Sequence, residues 1–220
     1  MKHPFSEYKT LIFDCDGVVL NSNAIKTQAF YDSTKHYGHD AAQAMVRFHI
    51  ANGGISRYAK ARYFISEILR RDFDESIYSD ILRRFRGAVM DALLRCEVTS
   101  GLAELRGYNK DVNWLIVSGG DQWELREVFK KRGLNAYFNG GIFGSPDNKR
   151  DILKREMERC NVEGPSLFLG DSLYDYKVST ESGIDFMFVS DWTEFSGWRD
   201  WVDAWNIDSI GTVAQLLDCS

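Results

Sequence analysis

Residues 9–22 read KTLIFDCDGVVLNS, in which a short apolar run leads directly into two carboxylates. The run at 11–13 is typical of a fully buried strand, and Asp14 and Asp16 follow its end. Side chains at positions i and i+2 of an extended chain project to the same side, so we expect both carboxyl groups to converge on one small volume. Carboxylates this close repel each other unless a cation or a proton intervenes. The stretch therefore predicts either a divalent ion with oxygen ligands or one carboxyl group that stays protonated.

The pattern of apolar residues changes near Cys96. Before it the spacing is helical throughout and predicts helices at 24–37, 40–51, 56–71 and 75–94, with Ser22, Asp40 and Ser56 as N-caps of the first three. After it, short apolar runs alternate with helical segments. The predicted strands are 112–117, 141–143, 166–169 and 186–189, and the predicted helices are 101–108, 121–132, 148–160 and 173–182.

This alternation predicts an α/β fold with a Rossmann-like three-layer core, in which a parallel sheet of about five strands carries helices on both faces. The helical block interrupts the core just after its first strand. We therefore expect two domains: an α/β catalytic core made of residues 1–20 and 97–220, and an inserted all-helical cap domain at 21–96.

The composition is ordinary for a soluble globular protein of 220 residues, with 44% hydrophobic and 27% charged residues. The net charge of -5 argues against nucleic acid as a partner. No apolar run approaches the roughly 20 residues that cross a bilayer, and the N-terminal sequence lacks the apolar core of a signal peptide. We expect a cytoplasmic protein, monomeric or homodimeric, that binds no membrane.

The four cysteines are widely scattered and form no C-x-x-C pair, so we expect neither a zinc site nor a disulfide framework. Cys15 lies between Asp14 and Asp16, and its side chain should point away from theirs. We interpret it as a small buried apolar residue rather than as a nucleophile.

Polar residues follow the predicted strands, and in an open parallel sheet ligands bind beyond the carboxyl ends of the strands. Ser118 ends the second strand and precedes Gly119 and Gly120. A hydroxyl group with open backbone N–H groups at a helix N-terminus can hold a phosphoryl oxygen, although Ser-Gly-Gly is equally an ordinary tight turn. Lys149 begins a helix, where the helix dipole disfavours a cation, so it indicates a nearby anion unless it only faces solvent.

Asp171 and Asp175 follow the fourth strand and are four residues apart, which places them on the same face of a helix. Together with Asp14 they would form an oxygen-rich site suited to Mg²⁺. The alternative is that Asp171 caps the helix and that Asp175 is solvated.

The sequence FDCDGV at 13–18 resembles the opening motif of the haloacid dehalogenase-like phosphohydrolases. The resemblance extends to four short motifs in the family's order, and the insert is similar to the helical cap of the phosphoglycolate phosphatase and β-phosphoglucomutase-like subclass. It implies catalytic roles for Asp14 as nucleophile, Asp16 as general acid and base, Ser118 as phosphoryl ligand and Lys149 as the neutralising cation. It also implies phosphoryl contacts from Gly119 and Gly120, and a Mg²⁺ site formed by Asp14, Asp16, Asp171 and Asp175.

The function implied by this resemblance is Mg²⁺-dependent hydrolysis of a small phosphorylated metabolite, a sugar phosphate or a phosphoglycolate-like compound, through an aspartyl-phosphate. The sequence GISR at 54–57 resembles the substrate-specificity loop of β-phosphoglucomutase and related phosphatases. It implies substrate contacts from Arg57 and Lys60, with a solvated helix start as an equal alternative.

Two other functions remain open on the sequence. A hexose-phosphate mutase of this subclass has a histidine twelve residues after its first aspartate, where this chain has Lys26, which favours hydrolysis. A catalytically silent binding module of the same fold would be expected to lack Asp14, Lys149 or Asp171, and all three are present. Four tryptophans at 192–205 could form a wall of the pocket or a subunit contact, but we favour an aromatic plug on the core.

Overall fold

The computed structural model describes residues 3–219, apart from the side chain of Cys219, so the outer limits of the predicted core domain lie outside the described residues. Six parallel strands form one sheet in the order β3-β2-β1-β4-β5-β6. The strands are β1 (Thr10–Phe13), β2 (Asn113–Asp121), β3 (Gly141–Ser145), β4 (Ser166–Gly170), β5 (Asp185–Val189) and β6 (Ser209–Ile210). The predicted Rossmann-like α/β fold is confirmed.

Nine α-helices occur within residues 3–219. They are α1 (Asn23–Thr34), α2 (His39–Ala51), α3 (Arg57–Tyr63), α4 (Glu75–Leu93), α5 (Leu102–Tyr108), α6 (Gln122–Lys131), α7 (Lys149–Glu158), α8 (Leu173–Glu181) and α9 (Trp198–Trp205). The third predicted helix is shorter than expected, because α3 continues only as a π-helical segment, Phe64–Ile68. None of the helices in the described part is both long and apolar enough to cross a bilayer.

The sheet is buried on both faces, as the continuous apolar runs of its strands predict. Successive residues of β1 belong to different apolar clusters: Phe13 packs with Trp114 in one, and Ile12 packs with Phe168 in the other. Cys15 is fully buried in the first cluster, as expected for a small apolar residue. Because β1 is buried on both faces, its carboxyl end is held rigidly. Asp14, the next residue, is held with it.

Helices α1 to α4 form a block with its own apolar contacts, in which the rings of Phe30 (α1) and Phe85 (α4) lie 4.3 Å apart. The two chain segments that join this block to the sheet run side by side. The Asn21 N–H donates to the Glu97 carbonyl at 2.9 Å, and the Thr99 N–H donates to the Val19 carbonyl at 2.9 Å. The predicted domain limits at 21 and 96 lie at this paired crossing, and they stay a prediction.

The predicted helix caps are correct in part. Ser56 caps α3 by accepting a hydrogen bond from the Ala59 N–H. The prediction for Asp40 is wrong, because Gly38 allows α2 to begin at His39. Ser22 occupies the N-cap position of α1, but its hydroxyl donates to Asp16 Oδ1 at 2.6 Å instead of accepting from the helix.

Three elements after β5 were not predicted, namely α9, β6 and a 3₁₀ helix at Val213–Cys219. The tryptophans of α9 pack as a plug on one face of the sheet, as expected: Trp198 stacks on Phe188 with ring centroids 5.5 Å apart, and Trp201 meets Tyr176 edge to face at 5.2 Å. Trp205 is different, since 64% of it is exposed.

Candidate active site

The carboxyl ends of β1 and β4 bring three acidic side chains together. Asp14 follows β1 directly, and its N–H donates to the Leu169 carbonyl of β4 at 2.9 Å. Asp171 follows β4, and Asp175 lies in the first turn of α8. All three are buried, and one carboxylate oxygen from each lies within 4.8 Å of the others. The structure therefore brings together three of the four predicted metal ligands.

Lys149, the first residue of α7, has its ammonium group between two of these carboxylates. Its Nζ atom lies 2.8 Å from Asp14 Oδ2 and 2.5 Å from Asp175 Oδ1. Burial alone would lower the pKa of Lys149, but the two carboxylates outweigh that effect and raise it. Lys149 therefore stays protonated, and the anion that its position in the sequence indicated is present.

The single positive charge of Lys149 does not neutralise all three carboxylates of the cluster. Burial and the remaining repulsion raise the pKa of two of them. Burial raises the pKa of Asp14 to about 7, although Lys149 opposes the shift. Burial, together with Asp14 and Asp175, raises the pKa of Asp171 well above its usual value. Hard oxygen donors held at these separations are the ligands that a divalent cation such as Mg²⁺ prefers, and a cation there would relieve the repulsion. The donor set thus fits the predicted metal site.

The carboxylate of Asp171 is held toward the cluster by a hydrogen bond from Asn23. The alternative in which it caps α8 is wrong, because the Ser172 hydroxyl accepts from the Asp175 N–H at 3.3 Å and caps the helix instead. This leaves the carboxylate of Asp171 free to face the cluster. Asn23, from the start of α1, donates through Nδ2 to Asp171 Oδ2 at 2.7 Å and to the Trp192 carbonyl at 2.8 Å. Nothing in the sequence marked Asn23 for this role.

Asp16 lines the same cavity as Asp14 but does not join the cluster, which corrects the expectation that it is a fourth metal ligand. The rule for positions i and i+2 holds on an extended chain, but β1 ends at Phe13 and the backbone turns at Gly17 with a φ of 76°. The carboxylate of Asp16 instead forms an ion pair with Lys26 and accepts from the Ser22 hydroxyl. Burial alone would raise the pKa of Asp16, but these two contacts lower it.

The predicted phosphoryl-binding turn is part of β2, which continues to Asp121 through a register shift after Val117. The Ser118 hydroxyl is buried and accepts a hydrogen bond from the Gly120 N–H at 3.0 Å. Gly119 is approached closely by the helical block, since a Cβ atom there would lie 2.2 Å from the Gly54 carbonyl oxygen. Asp121 caps α6 by accepting from the Glu124 N–H.

A cavity of about 670 Å³ lies between the carboxyl edge of the sheet and the helical block. Its walls include most of the predicted site residues, namely Asp14, Asp16, Arg57, Lys60, Gly119, Gly120 and Asp171. Ser118, Lys149 and Asp175 are buried behind this surface. The cavity is large enough for a small-molecule ligand and has acidic groups at its base.

The two predicted substrate contacts from the helical block differ from each other. The guanidinium group of Arg57 donates to both carboxylate oxygens of Glu124, in a buried pair that joins α3 to α6. Its predicted contact with substrate stays a prediction. Lys60 lies 2.6 Å from His49 Nδ1, and burial together with Lys26 lowers the pKa of Lys60 to about 7.

A family model described as haloacid dehalogenase-like hydrolase matches residues 8–183, more than half of the sequence. The protein is a hydrolase with a Rossmann-like fold and an acidic cluster at the carboxyl edge of its sheet. The chain belongs to the haloacid dehalogenase-like hydrolase family. No match was found among curated proteins.

Solved structures share this fold over nearly the whole chain. The chain is 14% identical to a predicted phosphoglycolate phosphatase from Haemophilus somnus 129pt, covering 96% of this chain and 97% of that one with a TM-score of 0.72. It is 14% identical to β-phosphoglucomutase from Clostridium difficile, with coverages of 95% and 93% and a TM-score of 0.69. It is 18% identical to YfnB from Bacillus subtilis, assigned provisionally as a HAD-hydrolase and bound to magnesium, with coverages of 96% and 98% and a TM-score of 0.65.

Proposed function

We propose that the protein is a Mg²⁺-dependent phosphatase that hydrolyses a small phosphorylated metabolite through an aspartyl-phosphate on Asp14. The observation that carries the proposal is the buried cluster of Asp14, Asp171 and Asp175, with Lys149 bonded to two of its members, at the base of a cavity of about 670 Å³. Structural neighbours described as a phosphoglycolate phosphatase and a phosphoglucomutase agree with a phosphorylated substrate.

Asp14 is the proposed nucleophile because it is fixed at the end of β1 and is bonded to Lys149. A carboxylate oxygen of Asp14 attacks phosphorus, the bond from phosphorus to the alcohol oxygen breaks, and the alcohol leaves with a proton from Asp16. Asp16 then takes a proton from water, and the resulting hydroxide attacks the acyl phosphate. This releases inorganic phosphate and returns Asp14 to its carboxylate form.

In the observed geometry Lys26 and Ser22 favour the ionised form of Asp16, which is the form that acts as a base. The acid step therefore requires the contact between Asp16 and Lys26 to loosen when the substrate binds.

The residues that would hold Mg²⁺ are Asp14, Asp171 and Asp175, and Asp16 is left out because its carboxylate is bonded elsewhere. When bound, the ion supplies positive charge to the phosphoryl oxygens. Lys149 supplies charge in the same place, and the backbone at Gly119 faces the cavity, where its N–H group can donate to a phosphoryl oxygen. The Gly120 N–H already donates to the Ser118 hydroxyl. The presence of magnesium in the similar structure of YfnB supports this choice of metal.

Hydrolysis is favoured over phosphoryl transfer between two positions of a sugar. The mutase histidine is replaced by Lys26, whose ammonium group is bonded to Asp16. A protonated lysine in this ion pair cannot act as the base that a second substrate hydroxyl would require.

The test is hydrolysis of p-nitrophenyl phosphate by the purified full chain, with Mg²⁺ and then with a chelator. We expect turnover with Mg²⁺, little with the chelator, and at least about a thousandfold loss in Asp14→Asn, because the amide cannot form the acyl phosphate. Asp203→Asn, an exposed change on α9, serves as the control and should keep full activity. Undiminished turnover by Asp14→Asn would exclude the nucleophile, and the absence of turnover under every condition would favour the silent binding module.

A further inference from the structure

Apolar side chains line the cavity from both the helical block and the core. Ile50, in the last turn of α2, is 40% exposed, and Leu173, the first residue of α8, is 44% exposed. Ile55, Tyr174 and Phe195 line the same cavity and are partly exposed. We call these five residues the apolar rim. Large apolar side chains that are left open to water at one cavity indicate a ligand that covers them.

The apolar rim is held beside the acidic cluster by contacts on two sides. The Thr193 hydroxyl donates to the Asp171 carbonyl at 2.7 Å and accepts from the Phe195 N–H at 3.1 Å. Phe195 is therefore tied to the backbone of a cluster residue. The ring of Tyr174 lies close to the helical block, since a Cβ atom on Gly54 would be 3.0 Å from Tyr174 Cδ1. A group bonded to a phosphate in the cluster would meet this rim.

The charged side chains deeper in the cavity already have partners within the protein. The pairs are Lys26 with Asp16, Arg57 with Glu124, and Glu194 with Thr27. Lys60 donates to His49 Nδ1 at 2.6 Å, and burial lowers the pKa of His49 to about 2, so the imidazole accepts in its neutral form. Arg47 and Lys177 also line the cavity, but both are exposed to water. The hydroxyl groups of a bound sugar would have to compete with the internal bonds, whereas an apolar group would not.

The size of the cavity agrees with a ligand that has a ring. Its volume of about 670 Å³ is within the range of about 300–1,000 Å³ that is typical of sites for drug-sized molecules. A phosphoryl group at the acidic cluster would fill only the base. The space that remains, next to the apolar rim, is left for the alcohol portion of the ester.

We infer that the apolar rim binds the alcohol portion of the substrate, so that the substrate class is phosphate monoesters whose alcohol portion carries an apolar or aromatic ring. The inference rests on the proposed function, which places the reacting phosphoryl group at Asp14. A ring that covers Ile50 and Leu173 removes apolar surface from water, and the rings of Tyr174 and Phe195 can pack against an aromatic group.

Three esters of matched shape test this substrate class. Benzyl phosphate, cyclohexylmethyl phosphate and glucose 6-phosphate each join a six-membered ring to the phosphate through one CH₂ group. The ring is aromatic in the first, saturated and apolar in the second, and hydroxylated in the third. We would measure kcat/KM for each with Mg²⁺ and the full chain. At least one of the two apolar esters should exceed glucose 6-phosphate by about tenfold or more, the effect of burying roughly two CH₂ groups.

Variants of the apolar rim show whether that preference arises there. Ile50→Ser and Phe195→Ala should each lower kcat/KM for benzyl phosphate by about fivefold or more, and for glucose 6-phosphate by less than about twofold. Met157→Ser is the matched control, because Met157 is also 40% exposed but lies on α7 outside this cavity. It should change neither value by more than about twofold. A smaller preference in the wild type, or rim variants that lose no more on benzyl phosphate than on glucose 6-phosphate, would overturn the inference.

A binding measurement distinguishes failure of this inference from failure of the proposed function. Calorimetry on Asp14→Asn with Mg²⁺, at several temperatures, would compare benzyl phosphate with glucose 6-phosphate and would be repeated on Asp14→Asn combined with Ile50→Ser. If no ester is turned over, the phosphatase proposal fails. Tighter binding of benzyl phosphate, with a more negative heat-capacity change that shrinks in the double variant, would still support the apolar rim. Binding that is equal for the two esters, independent of Ile50 or absent would refute it.

Discussion

The backbone turns sharply at Gly17, directly after Asp16. A residue with a side chain would not fit at this position, for two reasons. Its φ of 76° is in the left-handed region, and a Cβ atom would lie 2.1 Å from Asp171 Oδ2 and 2.5 Å from Asn23 Nδ2. We therefore expect Gly17→Ala to displace the Asp171 carboxylate and to lower kcat at least about tenfold, while backbone strain lowers the free energy of unfolding by about 1–2 kcal/mol.

The matched control for that change is Gly183→Ala. Gly183 has a similar φ of 70°, but a Cβ atom there meets nothing within 4 Å. The control should show the same loss of unfolding free energy in a denaturant titration and no loss of kcat. If both variants keep full activity, the close approach at Gly17 does not matter to the site.

Asn23 is a positioning residue for Asp171, because one amide group holds both that carboxylate and the Trp192 carbonyl. Loss of a hydrogen-bonding partner of a metal ligand typically costs 10- to 100-fold in metal affinity. We expect Asn23→Ala to raise the Mg²⁺ concentration for half-maximal activity by about that factor. Asn21→Ala, which removes an exposed 3.2 Å contact with Glu97, should leave it unchanged. An unchanged Mg²⁺ requirement in Asn23→Ala would mean that Asp171 needs no such support.

At the level of single residues, the sequence was a good guide to which side chains lie close together. It was a poorer guide to how those side chains are oriented. Asp14, Lys149, Asp171 and Asp175 come together because each follows or lies near the carboxyl end of a buried strand, and that placement can be predicted from the pattern of apolar runs. The prediction of Asp16 as a metal ligand is wrong because the orientation of its side chain depends on where β1 ends. Asn23 and His49 left no signal, since a single amide or imidazole gains its role only from distant contacts.

At the level of elements, the contact between α3 and α6 is built on a buried ion pair. The side chains of Arg57 and Glu124 are 7% and 3% exposed, and the guanidinium group binds both carboxylate oxygens. Glu124→Gln would leave a buried guanidinium group without its counter-ion, so we expect the free energy of unfolding to fall by about 3–5 kcal/mol. Denaturant titration of the full chain measures this loss.

Two controls accompany that prediction. Replacing both partners in Arg57→Met with Glu124→Leu should restore most of the stability, because no buried charge is left without a counter-ion. Arg86, which also pairs with Glu124, is exposed and stays solvated. Glu181→Gln breaks the exposed pair with Arg150 and should cost less than about 1 kcal/mol. A loss in Glu124→Gln no larger than that in Glu181→Gln would show that the helical block separates from α6 and lets water reach Arg57.

The elements that the sequence predicted are those with long apolar repeats or fully buried strands. The two-residue strand β6 was missed because an edge strand of that length carries no periodicity. Helix α9 did leave a signal, since Trp198, Trp201, Val202 and Trp205 follow helical spacing. The prediction of an aromatic plug uses only the number of tryptophans in the segment and not this period.

At the level of the whole molecule, the carboxyl edge of the sheet lies under the helical block, so residues of both parts line the cavity. This arrangement follows from the order of the sequence, because the block is inserted directly after β1, at the edge where Asp14 lies. The walls of the cavity could not be predicted in the same way. They depend on pairings across the two parts, such as Arg57 with Glu124, between residues 67 positions apart in the sequence.

The whole molecule should also respond to pH and to metal together. In the metal-free protein, burial and mutual repulsion raise the pKa of Asp14 to about 7 and that of Asp171 well above its usual value. Between about pH 4 and 7 these two carboxyl groups therefore hold more protons in the folded state than in the unfolded state, so their contribution to stability falls as pH rises through that window, while the lowered pKa of His49 acts in the opposite direction. The raised pKa of Lys149 does not reverse this, because its contribution is lost only at more alkaline pH.

Mg²⁺ competes with the protons on Asp14 and Asp171. Its stabilising effect should therefore be larger at a pH where these two carboxyl groups are ionised. We expect the rise in Tm caused by Mg²⁺ to be clearly greater at pH 8 than at pH 5.5. At a free Mg²⁺ concentration one hundred times Kd, binding raises the free energy of unfolding by about 2.7 kcal/mol. NaCl at the same ionic strength is the control and should give only a small rise at either pH.

Because Asp171→Asn removes one ligand and its charge, it should raise the Tm of the metal-free protein at pH 8 while reducing the response to Mg²⁺. A Mg²⁺ response that is equal at both pH values, or matched by NaCl, would show that the three carboxylates do not bind the ion.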